Sequence, residues 1–214
     1  VLFVFGIIGM IMGSVSAIKE KDIRRMIAFS SVAQIGYIYM GFGLGTEVAV
    51  VASVYHILSH AATKSLLFVA ASGLTDASGG SRHFRDLTGA GYRNKPAGVA
   101  FTVGALSMVG IPMFSGFISK LLFAQAAMGH AHKMLPTLIA LAISTVLNAV
   151  YFMKTVIRIY TPVPKNPDEA TVNVLPTTEC RNIPAKEQPV KSVALILFII
   201  LNLILGLNSE PIIR

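Results

Sequence analysis

Charge is what this sequence is shortest of. Only 13% of its 214 residues are Asp, Glu, Lys or Arg, against about 25% in soluble domains. Hydrophobic residues make up 54% of the chain, and its mean hydropathy is +0.68. Such a chain belongs in a lipid bilayer. Tryptophan is absent, and Cys180 is the only cysteine. That excludes an internal disulfide and any metal site built from several cysteines. Acidic residues number 10 against 18 basic ones, for a net charge of +8. Excess positive charge can mark a nucleic-acid binder, but the hydropathy and the placement of the basic residues argue against one here. There is no Walker loop, no Rossmann fingerprint and no nucleophile–base pair, so the sequence offers no catalytic residue and no redox chemistry of its own. The chain begins inside an apolar run, without an initiator Met or a basic leader. It reads as the later part of a longer protein whose upstream helices are missing, rather than as a signal peptide.

What is present is a series of six apolar runs, at 1–18, 26–45, 48–74, 97–128, 135–159 and 190–207. A membrane helix needs about 20 residues, so the fourth run is too long for one straight span. It contains Gly110-Ile111-Pro112. Pro112 removes a backbone donor and biases Ile111 away from helical geometry. The expectation is a helix broken near 109 and resumed near 113, or a plain proline kink. The fold class is therefore all-α, a polytopic membrane helix bundle of about six spans. Residues 1–159 form a transmembrane domain, 160–189 a polar loop rich in Pro, Thr and Asn, and 190–214 a last helix and tail. Within 75–96, HFRDLTG (83–89) is a candidate short interfacial helix.

The basic residues gather in three connections: KEKDIRR at 19–25, the loop 75–96, and the segment 160–189 with its flanks. These fall on one side if all six runs cross. The other side holds only Lys133 and Arg214. The positive-inside rule then puts the basic loops in the cytoplasm, in a multi-pass protein of the cell (inner) membrane.

Two lysines escape this pattern. Lys64 and Lys120 lie inside apolar runs, where no Asp or Glu lies deep. A Lys at the centre of a membrane helix costs roughly 2.5–3.5 kcal/mol on insertion scales. Snorkelling to the interface is the bland alternative, but both sit far from a convenient end. His56, His60 and Lys64 recur every four residues and so share one helix face. Imidazole passes protons through its two nitrogens, and a buried amine can lose its charge near neutral pH. The trio therefore reads as a proton relay, against the alternative of hydrogen-bonded core histidines. His-x3-His spacing also suits zinc, but no carboxylate or Cys is near to complete a site, so neither metal nor cofactor is expected. Lys120, eight residues after Pro112, falls about two turns into the second half-helix and is expected to feel that half's positive dipole end. Arg24, Ser31, Gln34 and Asn148 are further candidates for a polar path, with polar packing between helices as the alternative.

KDIRRMIAFSSVAQIGYIYMG (21–41), HILSHAATKSLLFVAASG (56–73) and GIPMFSGFISKLLF (110–123), in this order, resemble the proton-translocating membrane subunits of respiratory complex I, multisubunit cation/proton antiporters and membrane-bound hydrogenases. The resemblance covers roughly 18–158. It implies two inverted repeats of five helices in the family, each with a broken helix, of which this chain is the second repeat plus one following helix. It implies relay roles for His56, His60, Lys64 and Lys120, and a break at Gly110 and Pro112. Arg24 stands where the family commonly has Lys, which puts a titrating role there in doubt because Arg keeps its charge.

The expected function is proton translocation through a buried Lys/His relay, in a redox-driven pump or a cation/proton antiporter. Partners would be other membrane subunits, the bilayer, protons and in the antiporter case sodium. No nucleic acid is expected. Whether the protein counts as part of an enzyme stays open, since it would be a non-redox subunit of an NADH-quinone oxidoreductase-type complex. The competing reading is a structural scaffold subunit whose buried polar groups only pack helices.

Overall fold

The computed structural model describes residues 1–129, 131–162 and 189–208. Most of the expected 160–189 loop and the tail beyond 208, with Lys165, Arg181, Lys186 and Arg214, lie outside the described residues. Among the described residues the regular elements are all helices, with one isolated backbone bridge between Asp22 and His83.

Helix α1 (Leu2–Lys19) pairs with α2 (Ile23–Leu44) in a tight antiparallel hairpin. Small residues allow it: a Cβ on Gly6 would stand 2.3 Å from the Met40 backbone N, and one on Gly13 2.5 Å from that of Ala33. Close backbone approach through small residues is the usual glue between membrane helices. Asp22 starts α2 by accepting from the Arg24 and Arg25 N–H groups at 2.7 and 3.1 Å, satisfying two of the free donors of the first turn. Gly45 ends α2 in the left-handed region, φ 79°. Thr46 then caps α3 (Glu47–Asp76), its hydroxyl accepting from Ala49 N at 3.1 Å.

Helix α3 is the hub. It packs against α2, α5, α6 and α8, and of the membrane-length helices it is the most buried. Its 30 residues reach about 45 Å, more than the roughly 30 Å of hydrocarbon. After α3 the chain turns through 77–89. HFRDLTG is not a helix: its residues form turns, and a short helix, α4 (Ala90–Arg93), follows instead. The reason is local. The Phe84 N–H bonds to the Lys21 carbonyl and the Ile23 N–H to that of Arg82, so this stretch is pinned to the start of α2. The Arg93 side chain, bonded to the Ala77 and Thr88 carbonyls at 2.9 and 3.2 Å, then ties the turns together.

The long fourth run is broken. Helix α5 (Lys95–Val109) stops at Gly110, whose φ of 88° favours glycine. Helix α6 (Ser115–Met128) begins two residues later than the sequence suggests, because 111–114 form a turn with Met113 at φ 81°. Helices α7 (Ala131–Ile159) and α8 (Pro189–Leu207) complete the bundle. Among the described residues five helices are long and apolar enough to cross a membrane, namely α1, α2, α3, α7 and α8; α5 and α6 form the broken element.

The polarity of the bundle is inverted relative to a soluble protein. Val4, Phe5, Leu135, Val146, Ile157 and Leu197 face outward, while Ser30, Gln34, His56, Lys64, Asn148 and Asn202 are buried. The basic connections share one end. Lys21 pairs with Phe84 there, Gly91 lies against Tyr160, and Lys191 bridges to Asp76 at 2.6 Å. At the opposite end Lys133 donates to the Gly43 carbonyl at 2.9 Å, closing the last turn of α2.

Candidate functional site

Positions 56, 59, 60, 63 and 64 follow the helical period and form one polar stripe along α3. Lys64 is 7% exposed. Its Nζ donates to the Ile27 carbonyl at 2.8 Å and to the Ser30 hydroxyl, both on α2. Hydrogen bonds from a charged donor contribute about 1.5–3 kcal/mol each, so two are comparable with the roughly 2.5–3.5 kcal/mol that a central Lys costs. That is how an apolar helix tolerates it.

One turn away stands His60, and one turn further His56. Their rings stack at 6.2 Å between centroids. His56 also stacks on Tyr37 at 5.4 Å and meets the Phe123 ring edge-on at 5.5 Å. Its Nδ1 is 3.0 Å from the Ser119 hydroxyl on α6. Among the described residues, His56 Nε2, His60 Nδ1 and Gln34 Nε2 have no hydrogen-bond partner. Gln34, both histidines and Lys120 border a cavity of about 10 Å³, room for about one water. The unengaged ring nitrogens are the groups an imidazole uses to accept and release a proton.

Lys120 does not sit as its place in α6 suggests. Its side chain folds back across the break, and Nζ donates to the Val109 and Met108 carbonyls at 2.5 and 3.3 Å and to the Thr145 hydroxyl at 3.0 Å. The ammonium thus meets the negative, carbonyl end of α5 instead of the positive end of α6. The flexible four-methylene side chain lets Nζ cross the break to carbonyls 12 and 11 residues earlier in the chain. Gly110 makes room, since a Cβ there would stand 2.9 Å from Lys120 Cδ. Gly110 and Pro112 both fall in the break.

The polar-path candidates scatter. Gln34 lines the cavity. Asn148 is buried on α7 and accepts from the Tyr151 hydroxyl. Among the described residues Ser31 bonds only to the Ile27 carbonyl of its own helix, at 3.3 Å; its neighbour Ser30 is the one that meets Lys64. Arg24 sits at the start of α2, about a turn short of the carbonyl that holds Lys64, and is not brought to the site.

A second network was not foreseen in the sequence. Asn202 on α8 donates to the Thr63 hydroxyl at 2.7 Å and accepts from that of Ser115 at 3.0 Å. Ser59 donates to Ser115 at 2.8 Å, and Ser107 lies 3.3 Å from Ser115. These groups join α3, both halves of the broken element and α8. The period-3.6 recurrence of Ser59 and Thr63 beside the histidines is a sequence signal for two of them; a lone Asn in an apolar run offers none. Among the described residues no cluster of three His, Cys, Asp or Glu comes together.

Residues 1–148 match the family described as NADH:quinone oxidoreductase/Mrp antiporter, TM. The chain is 36% identical over 152 residues to NADH-quinone oxidoreductase subunit N of Desulforudis audaxviator, covering 71% of this chain and 30% of that protein. It is 34% identical over 136 residues to one of the Na(+)/H(+) antiporter subunits of Alkalihalophilus pseudofirmus, covering 57% of this chain and 17% of that one. Among solved structures it is similar to a chain of the Mrp complex from Dietzia sp. DQ12-45-1b, with TM-score 0.81 and 24% identity over 99% of this chain and 45% of that one. It is equally similar to a chain of the membrane-bound sulfane sulfur reductase, an archaeal respiratory membrane complex, with TM-score 0.81 and 25% identity over 99% of this chain and 39% of that one. The chain spans about a third or less of the length of these curated relatives.

Proposed function

Because the chain belongs to the family of NADH:quinone oxidoreductase and Mrp antiporter membrane subunits, we propose that it is part of a proton-translocating subunit in a multisubunit membrane complex. The relatives are named as subunits of such complexes, and other membrane subunits are the expected partners. The carried ion is the proton, with sodium as the exchanged cation if the complex is an antiporter. The basic end of the bundle faces the cytoplasm, by the positive-inside rule, in the cell membrane.

The observation that carries this reading is the α3 stripe. Lys64, His60 and His56 follow one another at single-turn intervals, and both histidines border the same small cavity as Lys120. In the proposed cycle Lys64 takes a proton, the imidazoles hand it on with one water as bridge, and Lys120 is the last carrier. The complex reconstituted in vesicles with an entrapped pH-sensitive dye tests it. Lys64→Ala should abolish proton transfer while the complex still assembles. Unchanged transfer would end the proposal.

One observation favours the scaffold reading: both ammonium groups are already held by fixed acceptors, Lys64 on α2 and Lys120 at the end of α5. A scaffold predicts that Lys64→Ala damages assembly rather than transfer, so the same variant separates the two.

A further inference from the structure

The end of the bundle that carries the basic connections contains an open cavity of about 530 Å³, within the range of about 300–1,000 Å³ seen for ligand sites. Four cations line it, Lys21, Arg85, Lys154 and Arg158, together with two anions, Glu20 and Asp86. Glu20 is paired with Arg25 at 3.3 Å; Asp86 accepts from the Ser81 hydroxyl and keeps its charge, so four cations face one carboxylate that has no ion pair among the described residues. None of the four cations has an ion-pair partner among the described residues. Lys154 and Arg158 stand one turn apart on α7, facing the end of α1 across the opening.

We propose that this cavity seats the phosphate-bearing headgroup of an anionic phospholipid. The cations supply the charge recognition, and basic pockets between membrane helices commonly hold such headgroups. The apolar lining explains why the ligand is a lipid. Ile18, Met26, Phe84 and Tyr151 share the cavity with the charges. Toward mid-membrane, the outward residues Met12 and Val15 on α1 and Val146 and Val150 on α7 are exposed. An acyl chain attached to the headgroup has that apolar surface to lie against, whereas a soluble anion would leave it bare. None of the lining residues lies on α3, and the proposal does not depend on the role of the α3 stripe.

The chain has no tryptophan, so Phe84→Trp places the one selectively excited indole in the cavity. The full chain carrying it is placed in phosphatidylcholine nanodiscs and titrated with brominated phosphatidylglycerol, brominated phosphatidylcholine or inorganic phosphate. The expected result is quenching at a lower mole fraction of phosphatidylglycerol than of phosphatidylcholine, with inorganic phosphate unable to relieve it. Each cation near an anionic headgroup contributes about fivefold, so Lys154→Gln with Arg158→Gln should weaken the preference roughly 30-fold. Lys154→Gln alone, at an exposed position, should weaken it about fivefold and serves if the double variant does not insert. Equal quenching by the two lipids overturns the proposal, as does a preference that survives loss of the cations. Relief of quenching by phosphate assigns the cavity to a soluble anion and overturns it too.

Discussion

Lys64 and Lys120 meet the same physical problem, an ammonium in an apolar helix, and solve it in different ways. Lys64 bonds sideways to the preceding helix, α2, to one carbonyl and one hydroxyl. Removing the hydroxyl removes one of its two acceptors, so Ser30→Ala should change the proton-transfer rate measured in dye-loaded vesicles. Ser31→Ala, which removes only a bond within α2, should not. Lys120 caps the carbonyls of a broken helix. Arginine keeps the donors and the charge but does not deprotonate. If Lys120 is a carrier, Lys120→Arg blocks transfer while the complex assembles normally; transfer as fast as with lysine shows that no proton leaves this site. His56 and His60 should each tolerate Ala with partial slowing, because one water can span a missing ring. The double Ala variant should lose transfer, and a normal rate in that assay is incompatible with the relay.

At the scale of elements, the break between α5 and α6 is where backbone conformation and charge meet. Gly110 has φ 88° and lies against Lys120. A Cβ in the left-handed region costs about 1–2 kcal/mol, and here it would also push Lys120 from its carbonyls. Gly110→Ala should therefore destabilise the bundle by about 2 kcal/mol or more, read as a lower thermal midpoint in detergent, with a loss of transfer larger than the stability change alone explains. Helix α8 is tied in by Asn202, bonded to Thr63 and Ser115. Asn202→Leu leaves those buried hydroxyls without their amide and should cost about 1–3 kcal/mol. Thermal unfolding of the purified protein checks this, and a stability unchanged from the parent would mean that the hydroxyls find new partners.

For the whole molecule, the shared end of the basic connections makes a topology prediction. With Cys180 replaced by Ser, Arg82→Cys should react with a membrane-impermeant thiol reagent only from the cytoplasmic side. Glu47→Cys, exposed at the opposite end, should react only from the other side. The reverse pattern would invert the orientation and leave the fold untouched. The outward belt of Leu, Val, Ile and Phe has two natural neighbours, lipid and other membrane subunits.

The series of apolar spans, the break after Val109, the gathering of basic residues at one end and the alignment of His56, His60 and Lys64 were all legible from the sequence, because each follows from local rules. Apolar runs must span the bilayer, Pro112 denies a backbone bond, and a spacing of four keeps residues on one face. Tertiary structure decided what no local rule reaches. HFRDLTG looked helical on its own but is held in turns by the backbone bond from Phe84 to Lys21, some sixty residues earlier in the chain, and by that of its neighbour Arg82 with Ile23. Ser30 and not Ser31 meets Lys64, since the packing rotation of α2 on α3 chooses between neighbours. Asn202 joins the core network from the last helix. Lys120 escapes the positive end of its own helix by reaching the carbonyl end of another. The sequence alone could name the protonatable groups; only the packing of distant helices set which acceptors hold them and which nitrogens stay open.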